Sequence, residues 1–375
     1  MTGMSVARAP APLPPGPPPR PDGRVGVERL AEYATRIDVR SPAEFAVDHI
    51  PGAVNLPVLD DAQRAEVGTM YVQVSAFDAR KLGAAIVARN IAHIVETFAR
   101  DQPREWQPLV YCWRGGQRSR ALAHVLSEIG WRAHQLDGGY RAYRRHVVAA
   151  LATLPQRFEY RVICGLTGAG KSRLLAALAA EGAQTLDLEG LARHRGSLLG
   201  DLPGDPQPAQ KRFESLLVAA FASLDPDRPV YVEAESRKIG DLQVPDSLLV
   251  AMRASACVHL DTPRPLRIAL LKDEYAHFIA APAELEARLA HLAPVHGRKT
   301  LERWRDAGAR GDFDALVAEL LAQHYDPMYA QSIARNFPRH GTALVACADD
   351  VSIAGFRALA RDVLARAAAP QPVTA

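Results

Sequence analysis

Two stretches of the chain carry residue types whose spacing can do chemistry. The first is Tyr111-Cys112-Trp113-Arg114-Gly115-Gly116-Gln117-Arg118-Ser119. The apolar run Pro108–Tyr111 predicts a short buried strand that delivers a cysteine at its end. From Ser119 to Leu126 the apolar spacing is helical. A strand, a tight loop and a helix start gather backbone N–H groups into a nest that stabilises an anion. Cys112 is therefore the candidate catalytic residue. Arg114, Gly115, Gly116, Gln117, Arg118 and Ser119 form the candidate anion-binding loop. An inert cysteine at a strand end is the bland alternative, and Arg-Gly-Gly-Gln-Arg-Ser suits it poorly.

The second stretch is Gly165-Leu166-Thr167-Gly168-Ala169-Gly170-Lys171-Ser172. It fits G-x4-G-K-[ST] and lies between an apolar run, Glu159–Cys164, and a helical pattern, Arg173–Ala180. Gly165, Thr167, Gly168, Ala169 and Gly170 let the backbone approach a diphosphate, and Lys171 neutralises it. Ser172 can reach Mg²⁺, and either acidic pair downstream, Asp187 with Glu189 or Glu233 with Glu235, could hold it through water; Glu233, ending the apolar run Pro229–Val232, is the first choice. The competing reading of these acids is solvated loop carboxylates capping helices. The motif specifies a diphosphate and leaves open whether a nucleotide carries it.

These loops need parallel α/β sheets to hold them. Strands alternate with helices over residues 24–150, and again from residue 159, where residues 263–336 read as a helical insertion. The fold expectation is a rhodanese-like parallel-sheet domain at 24–150, a linker at 151–158 and a P-loop α/β domain at 159–368. A length of 375 residues suits two domains. Residues 1–22 hold eight prolines and read as a disordered tail. The cysteines at 112, 164, 257 and 347 share no ligand spacing and are expected to be reduced, the last three in the core. No apolar run approaches the roughly 18 residues of a membrane span and no signal-type segment opens the chain, so the expectation is a cytoplasmic protein with no membrane partner. The net charge of +3 does not announce nucleic acid. Basic residues around Trp304 could form an RNA-stacking surface, or Trp304 could be core.

The first region resembles the rhodanese family through Asp38-Val39-Arg40 with Glu44-Phe45, His49-Ile50-Pro51-Gly52-Ala53-Val54-Asn55, the Cys112 loop and Leu136-Asp137-Gly138-Gly139-Tyr140. Its Cys-x5-Arg spacing is one residue longer than the common rhodanese loop and also occurs in cysteine phosphatases of similar fold. With the P-loop region behind it, the chain resembles the bacterial tRNA 2-selenouridine synthase family. Further pieces of that likeness are Asp187-Leu188-Glu189-Gly190-Leu191-Ala192, His194-Arg195-Gly196 and His324-Tyr325-Asp326-Pro327-Met328-Tyr329. The resemblance implies a transferase whose partner is tRNA bearing 2-thiouridine at the wobble position. It implies geranyl diphosphate and selenophosphate as co-substrates, Mg²⁺ in support, and a selenophosphate-supplying enzyme as a second partner. S-geranylation at the P-loop would precede selenium exchange, in which Cys112 carries selenium as a perselenide or assists its delivery, and Arg114 and Arg118 bind selenophosphate or the perselenide anion. An ATP-dependent tRNA sulfurtransferase and a non-enzymatic chalcogen sensor are the alternatives.

Overall fold

The computed structural model describes residues 23–197 and 199–368; the proline-rich segment 1–22 lies outside them. The chain divides into two compact units.

The first unit holds a parallel five-stranded sheet in the order β1-β5-β4-β2-β3: Arg24–Val25 (β1), Arg36–Asp38 (β2), Val54–Asn55 (β3), Leu109–Tyr111 (β4) and His134–Leu136 (β5). The strand leading to Cys112 is central, and all of its residues are buried. Helices Pro42–Val47 (α1), Asp61–Gln73 (α2), Ala76–Ile94 (α3), Gln117–Ile129 (α4) and Gly139–Thr153 (α5) complete it. Ser41 starts α1 with Pro42 at the first helical position, and its N–H donates to Glu44 Oε2 at 3.3 Å, as a capping sequence dictates. The sequence reading missed α2, which has almost no apolar stripe. The core gathers Ile37, Val39, Val110, Leu122 and Leu126.

Two expectations change here. Residues 209–223 belong to the first unit, so the second domain is not continuous from residue 159. The Gln210–Ala222 helix places Ser215 Oγ 3.0 Å from Asp48 Oδ2 and the Arg212 guanidinium 3.0 Å from the His49 carbonyl. The segment Ala76–Ala99, with mean hydropathy 1.2, is also long and apolar enough to cross a membrane. It turns one face, Ala79, Gly83, Ile86, Ile91 and Ile94, into the unit's interior.

The second unit is another parallel sheet. Its strands are Tyr160–Cys164 (β6), Gln184–Leu186 (β7), Val230–Glu233 (β8), Ala256–Asp261 (β11) and Leu344–Cys347 (β12), in the order β12-β11-β6-β8-β7. A separate hairpin pairs Lys238–Ile239 (β9) with Leu242–Gln243 (β10). Lys171–Ala180 (α6) and Leu188–Ala192 (α7) follow β6 and β7. The β6 strand is central, so its loop opens between neighbours on both sides, where α/β sheets place ligands. Residues Arg264–Asn336 form the expected helical region around a separate core that includes Leu285, Leu289, Leu316 and Leu320. Trp304 is fully buried in that core and donates to Glu319 Oε2 at 3.0 Å, so it is not a stacking platform. Cys164 and Cys257 are buried, but Cys347 is exposed, contrary to the core expectation, because every second residue of edge strand β12 points outward.

Candidate active sites

The Cys112 loop is closed on one atom. Cys112 is 3% exposed. Its Sγ accepts the Gly116 N–H at 3.2 Å and the Ser119 hydroxyl at 3.1 Å. Gln135 Nε2 donates to Ser119 Oγ at 2.7 Å, which leaves the single Ser119 proton free for the sulfur. The neighbouring core is hydrocarbon, yet the loop side presents N–H and O–H donors, the arrangement a negatively charged sulfur requires. Two glycines permit it. Gly115 has φ +63 and a Cβ there would lie 2.7 Å from the Leu136 carbonyl; Gly139 has φ +56 and a Cβ would lie 2.3 Å from the Cys112 carbonyl. Tyr140 and Arg141 N–H groups then bond the Cys112 and Trp113 carbonyls at 2.8 and 3.0 Å.

The expected arginines divide. Arg114 is exposed at the loop, as are Gly116 and Gln117. Arg118 instead donates to Glu44 Oε2 at 3.1 Å, and Arg64 joins the same carboxylate at 3.0 Å. Although burial opposes it, these two cations hold the Glu44 carboxyl below its usual value. Arg118 at the end of the loop thus already has a carboxylate partner. A buried cation missed in the sequence, Arg40, bonds Asp38 and lies 3.9 Å over the Tyr140 ring beneath Trp113.

The P-loop is built differently. Gly168 (φ +74) and Gly170 (φ +89) could not carry a Cβ without meeting Leu271 at 2.6 Å or Phe356 at 2.5 Å. A Cβ on Gly165 would lie 2.8 Å from the Leu260 carbonyl. The loop is tied from behind: Thr262 Oγ1 donates to the Ala169 carbonyl at 2.9 Å, and Arg267 donates twice to the Thr167 carbonyl, at 2.9 and 2.8 Å. Arg267 is 4% exposed and pairs with Asp326. That explains part of the His324–Tyr329 stretch, and the rest of it, His324, Tyr325, Met328 and Tyr329, lines the cavity in front of the loop. This cavity has a volume of 680 Å³ and contains Thr167, Gly168, Gly170, Lys171 and Ser172. Lys171 Nζ lies 4.8 Å over the Tyr329 ring. Burial alone would lower its pKa, but Tyr329, Glu189 and Glu235 together raise it, so it stays a cation.

The acids are rearranged from expectation. Ser172 Oγ donates to Glu189 Oε2 at 2.7 Å. Glu189 and Glu235 line the cavity, whereas Glu233 is fully buried, with neither carboxylate oxygen hydrogen-bonded and no place in the cavity wall. Burial, then Asp187 and Glu189, push the Glu233 carboxyl well up. Burial and Glu189 push Glu235 up to about 8. The strand-end position made Glu233 the first choice as metal ligand; Glu235, two residues on and past the strand, faces the loop instead. Asp187 caps α7 through the Gly190 N–H at 2.7 Å.

Beside this polar cavity runs a narrow apolar crevice sharing Thr167, Ser197, Leu271, Tyr275 and Tyr325 with it. Its deeper wall is Leu199, Phe278, Leu285, Phe313, Leu316 and Leu320. No sequence signal distinguishes these residues from ordinary core.

Residues 27–146 match the rhodanese-like domain family, and residues 158–296 match the tRNA 2-selenouridine synthase AAA domain. A tRNA 2-selenouridine synthase of Bdellovibrio bacteriovorus is 33% identical, over 82% of this chain and 90% of its own. One of Nitrosomonas europaea is 37% identical, over 80% and 89%. One of Cupriavidus necator is 35% identical, over 78% and 87%. A rhodanese-type cysteine loop followed by a P-loop unit, matched over about four-fifths of the chain by these enzymes, means that the chain belongs to the tRNA 2-selenouridine synthase family.

Proposed function

We propose that this protein converts 2-thiouridine at the tRNA wobble position to 2-selenouridine in two steps, using geranyl diphosphate and then selenophosphate. The observation that carries the first step is the apolar crevice opening directly from the P-loop cavity. The crevice holds 60 Å³, so the tail of a loop-bound diphosphate would have to part its walls to enter, but those walls are hydrocarbon and suit an isoprenoid better than a nucleobase.

In the first step the thio-sulfur lone pair forms a bond to the allylic carbon. The carbon–oxygen bond breaks with its electrons going to diphosphate, and the base N3 proton passes to water. The loop N–H groups and Lys171 stabilise the charge that develops on diphosphate. Gly165, Thr167, Gly168, Ala169, Gly170, Lys171 and Ser172 are assigned to that role. Mg²⁺ fits here: the Ser172 hydroxyl and the Glu189 and Glu235 carboxylates line the cavity beside the loop, with Lys171 acting on both acids. Among the described residues no three side chains converge as a closed protein cage, and Mg²⁺ usually shares its shell with phosphates and water. Bound there, it would neutralise the diphosphate.

In the second step selenium attacks C2, geranylthiolate leaves with its electron pair and takes a proton, and water cleaves the phosphorus–selenium bond to give phosphate. Selenium enters and leaves at one oxidation level. A perselenide on Cys112 would need two electrons removed and later returned, so the balanced role of Cys112 is to assist delivery. Gly116 N–H and Ser119 stabilise its sulfur, and exposed Arg114 meets the incoming anion.

Mass analysis of nucleosides from thio-tRNA incubated with the purified variants tests this reading. Lys171→Ala should lower S-geranyl-2-thiouridine formation by on the order of 100-fold. Cys112→Ser should accumulate the geranylated nucleoside and form no selenouridine. Undiminished geranylation by Lys171→Ala would sink the P-loop assignment.

A further inference from the structure

The cavity holds a second cation that the P-loop motif does not supply. Arg195 lines it together with Lys171 and Ser172. Its Nη1 is buried and has no hydrogen-bond acceptor, and its guanidinium lies 5.0 Å over the Tyr275 ring. Leaving a buried guanidinium N–H unmade costs about 1–3 kcal/mol, and this one belongs to a side chain that lines a cavity. Of the carboxylates around it, Glu274 has Arg173 at 3.5 Å, Asp201 has Arg288, and Glu189 accepts from Ser172 and shares Lys171 with Glu235.

The segment that carries Arg195 is held in an unfavourable shape. Arg193 has φ +52, the one non-glycine with positive φ among the described residues, at a cost of roughly 1–2 kcal/mol. Gly196 has φ +66, and a Cβ there would come within 3.0 Å of the Glu235 carboxylate. His194 locks the turn. Its Nδ1 accepts the Gly196 N–H at 3.1 Å, so its proton sits on Nε2, toward Asp201 at 3.4 Å. The Arg195 N–H bonds the Gly200 carbonyl at 2.9 Å. Backbone strain that the surroundings enforce, ending in an unpaired cation over a cavity, is the signature of a ligand clamp.

We infer that Arg195 is the second cation of the diphosphate site and binds the phosphoryl oxygens that gain charge as the allylic carbon–oxygen bond breaks. This rests on the geranyl diphosphate reading and deepens it. Arginine suits the task, because its planar fork can take two phosphate oxygens at once and the Tyr275 face pre-orients it.

The test uses the full chain, inorganic pyrophosphate and geranyl diphosphate. Arg195→Gln keeps the length of the side chain over Tyr275 and removes the charge; Arg195→Lys keeps the charge and removes the fork. Arg195→Gln should lower kcat for geranylation by on the order of 100-fold with a smaller change in KM, and should weaken pyrophosphate binding at least tenfold by calorimetry. Arg195→Lys should recover part of both, and wild-type melting temperatures certify folding. If wild type binds pyrophosphate and geranylates tRNA while Arg195→Gln matches it in both, the assignment of Arg195 is overturned. If wild type itself does neither, the geranyl diphosphate reading falls and takes this assignment with it.

Discussion

The Cys112 loop and the Gly165–Ser172 loop use the same parts to opposite ends. Each follows a central parallel strand, each needs left-handed glycines pressed against a carbonyl or a side chain, and each runs into a helix. The first contracts onto a single sulfur, with a backbone N–H and a hydroxyl within 3.2 Å of it. The second leaves a 680 Å³ cavity and surrounds it with Lys171, Arg195 and paired acids. One loop encloses an atom of the protein itself, whereas the other leaves space in front of it. Among the described residues the closed loop leaves no buried side-chain polar atom without a partner, whereas the wall of the open cavity leaves Arg195 Nη1 and Tyr329 Oη so.

The contrast breaks first at the supports behind the open loop. Asp326→Ala would leave the buried Arg267 guanidinium, which bears on the Thr167 carbonyl, without its carboxylate. Removing one partner of such a pair should cost about 3 kcal/mol. Urea unfolding followed at Trp304 should show the loss, while variants reporting through Trp106 and Trp131 should not. An equal loss at both sets of reporters would mean that the two cradles are not separately supported.

A smaller effect is expected at the closed loop. Ser119→Ala removes one hydrogen bond to the Cys112 sulfur, worth about 1 kcal/mol. Selenation from pre-formed geranylated tRNA should slow by roughly fivefold, measured in single turnover. No change would mean that the Gly116 N–H alone holds the sulfur.

The third effect is a difference in pH dependence. Glu44, beside the closed loop, has a folded pKa below 4.5 because of Arg118 and Arg64. Its contribution is present above that value and is lost as pH falls through the folded pKa. Burial and Glu189 raise Glu235 from 4.5 to about 8, so its contribution is complete below pH 4.5 and is lost as pH rises toward 8. In metal-free buffer the Trp304 unit should weaken between pH 5 and about 8, and Glu235→Gln should remove that slope. Added Mg²⁺ should flatten the slope, and a flat slope without it would show that Glu235 is already compensated.

Much of both loops was legible because their glycines and their strand–loop–helix pattern are local. Strand ends, helix starts and the cysteine's place follow from adjacent residues. What stayed hidden depends on partners distant in sequence. Arg118 turns to Glu44, 74 residues away, and Arg267 reaches Thr167 across 100. Glu233 and Glu235 differ by one strand alternation, and the choice between them depends on where β8 ends. Arg195 stood inside a stretch singled out by resemblance, but its unmet N–H is visible only when its surroundings are assembled.

The Gln210–Ala222 helix has a consequence for how the gene could be divided. The chain departs from the second unit after Pro208, lends this helix to the first, and resumes the second at Leu224. A fragment ending near residue 151 would lack the serine that donates to Asp48 and the arginine that meets the His49 carbonyl. No single cut yields two whole halves. The ribosome must deliver more than 220 residues before the sulfur-bearing half possesses all its parts, so the two chemistries are inherited, synthesised and lost together.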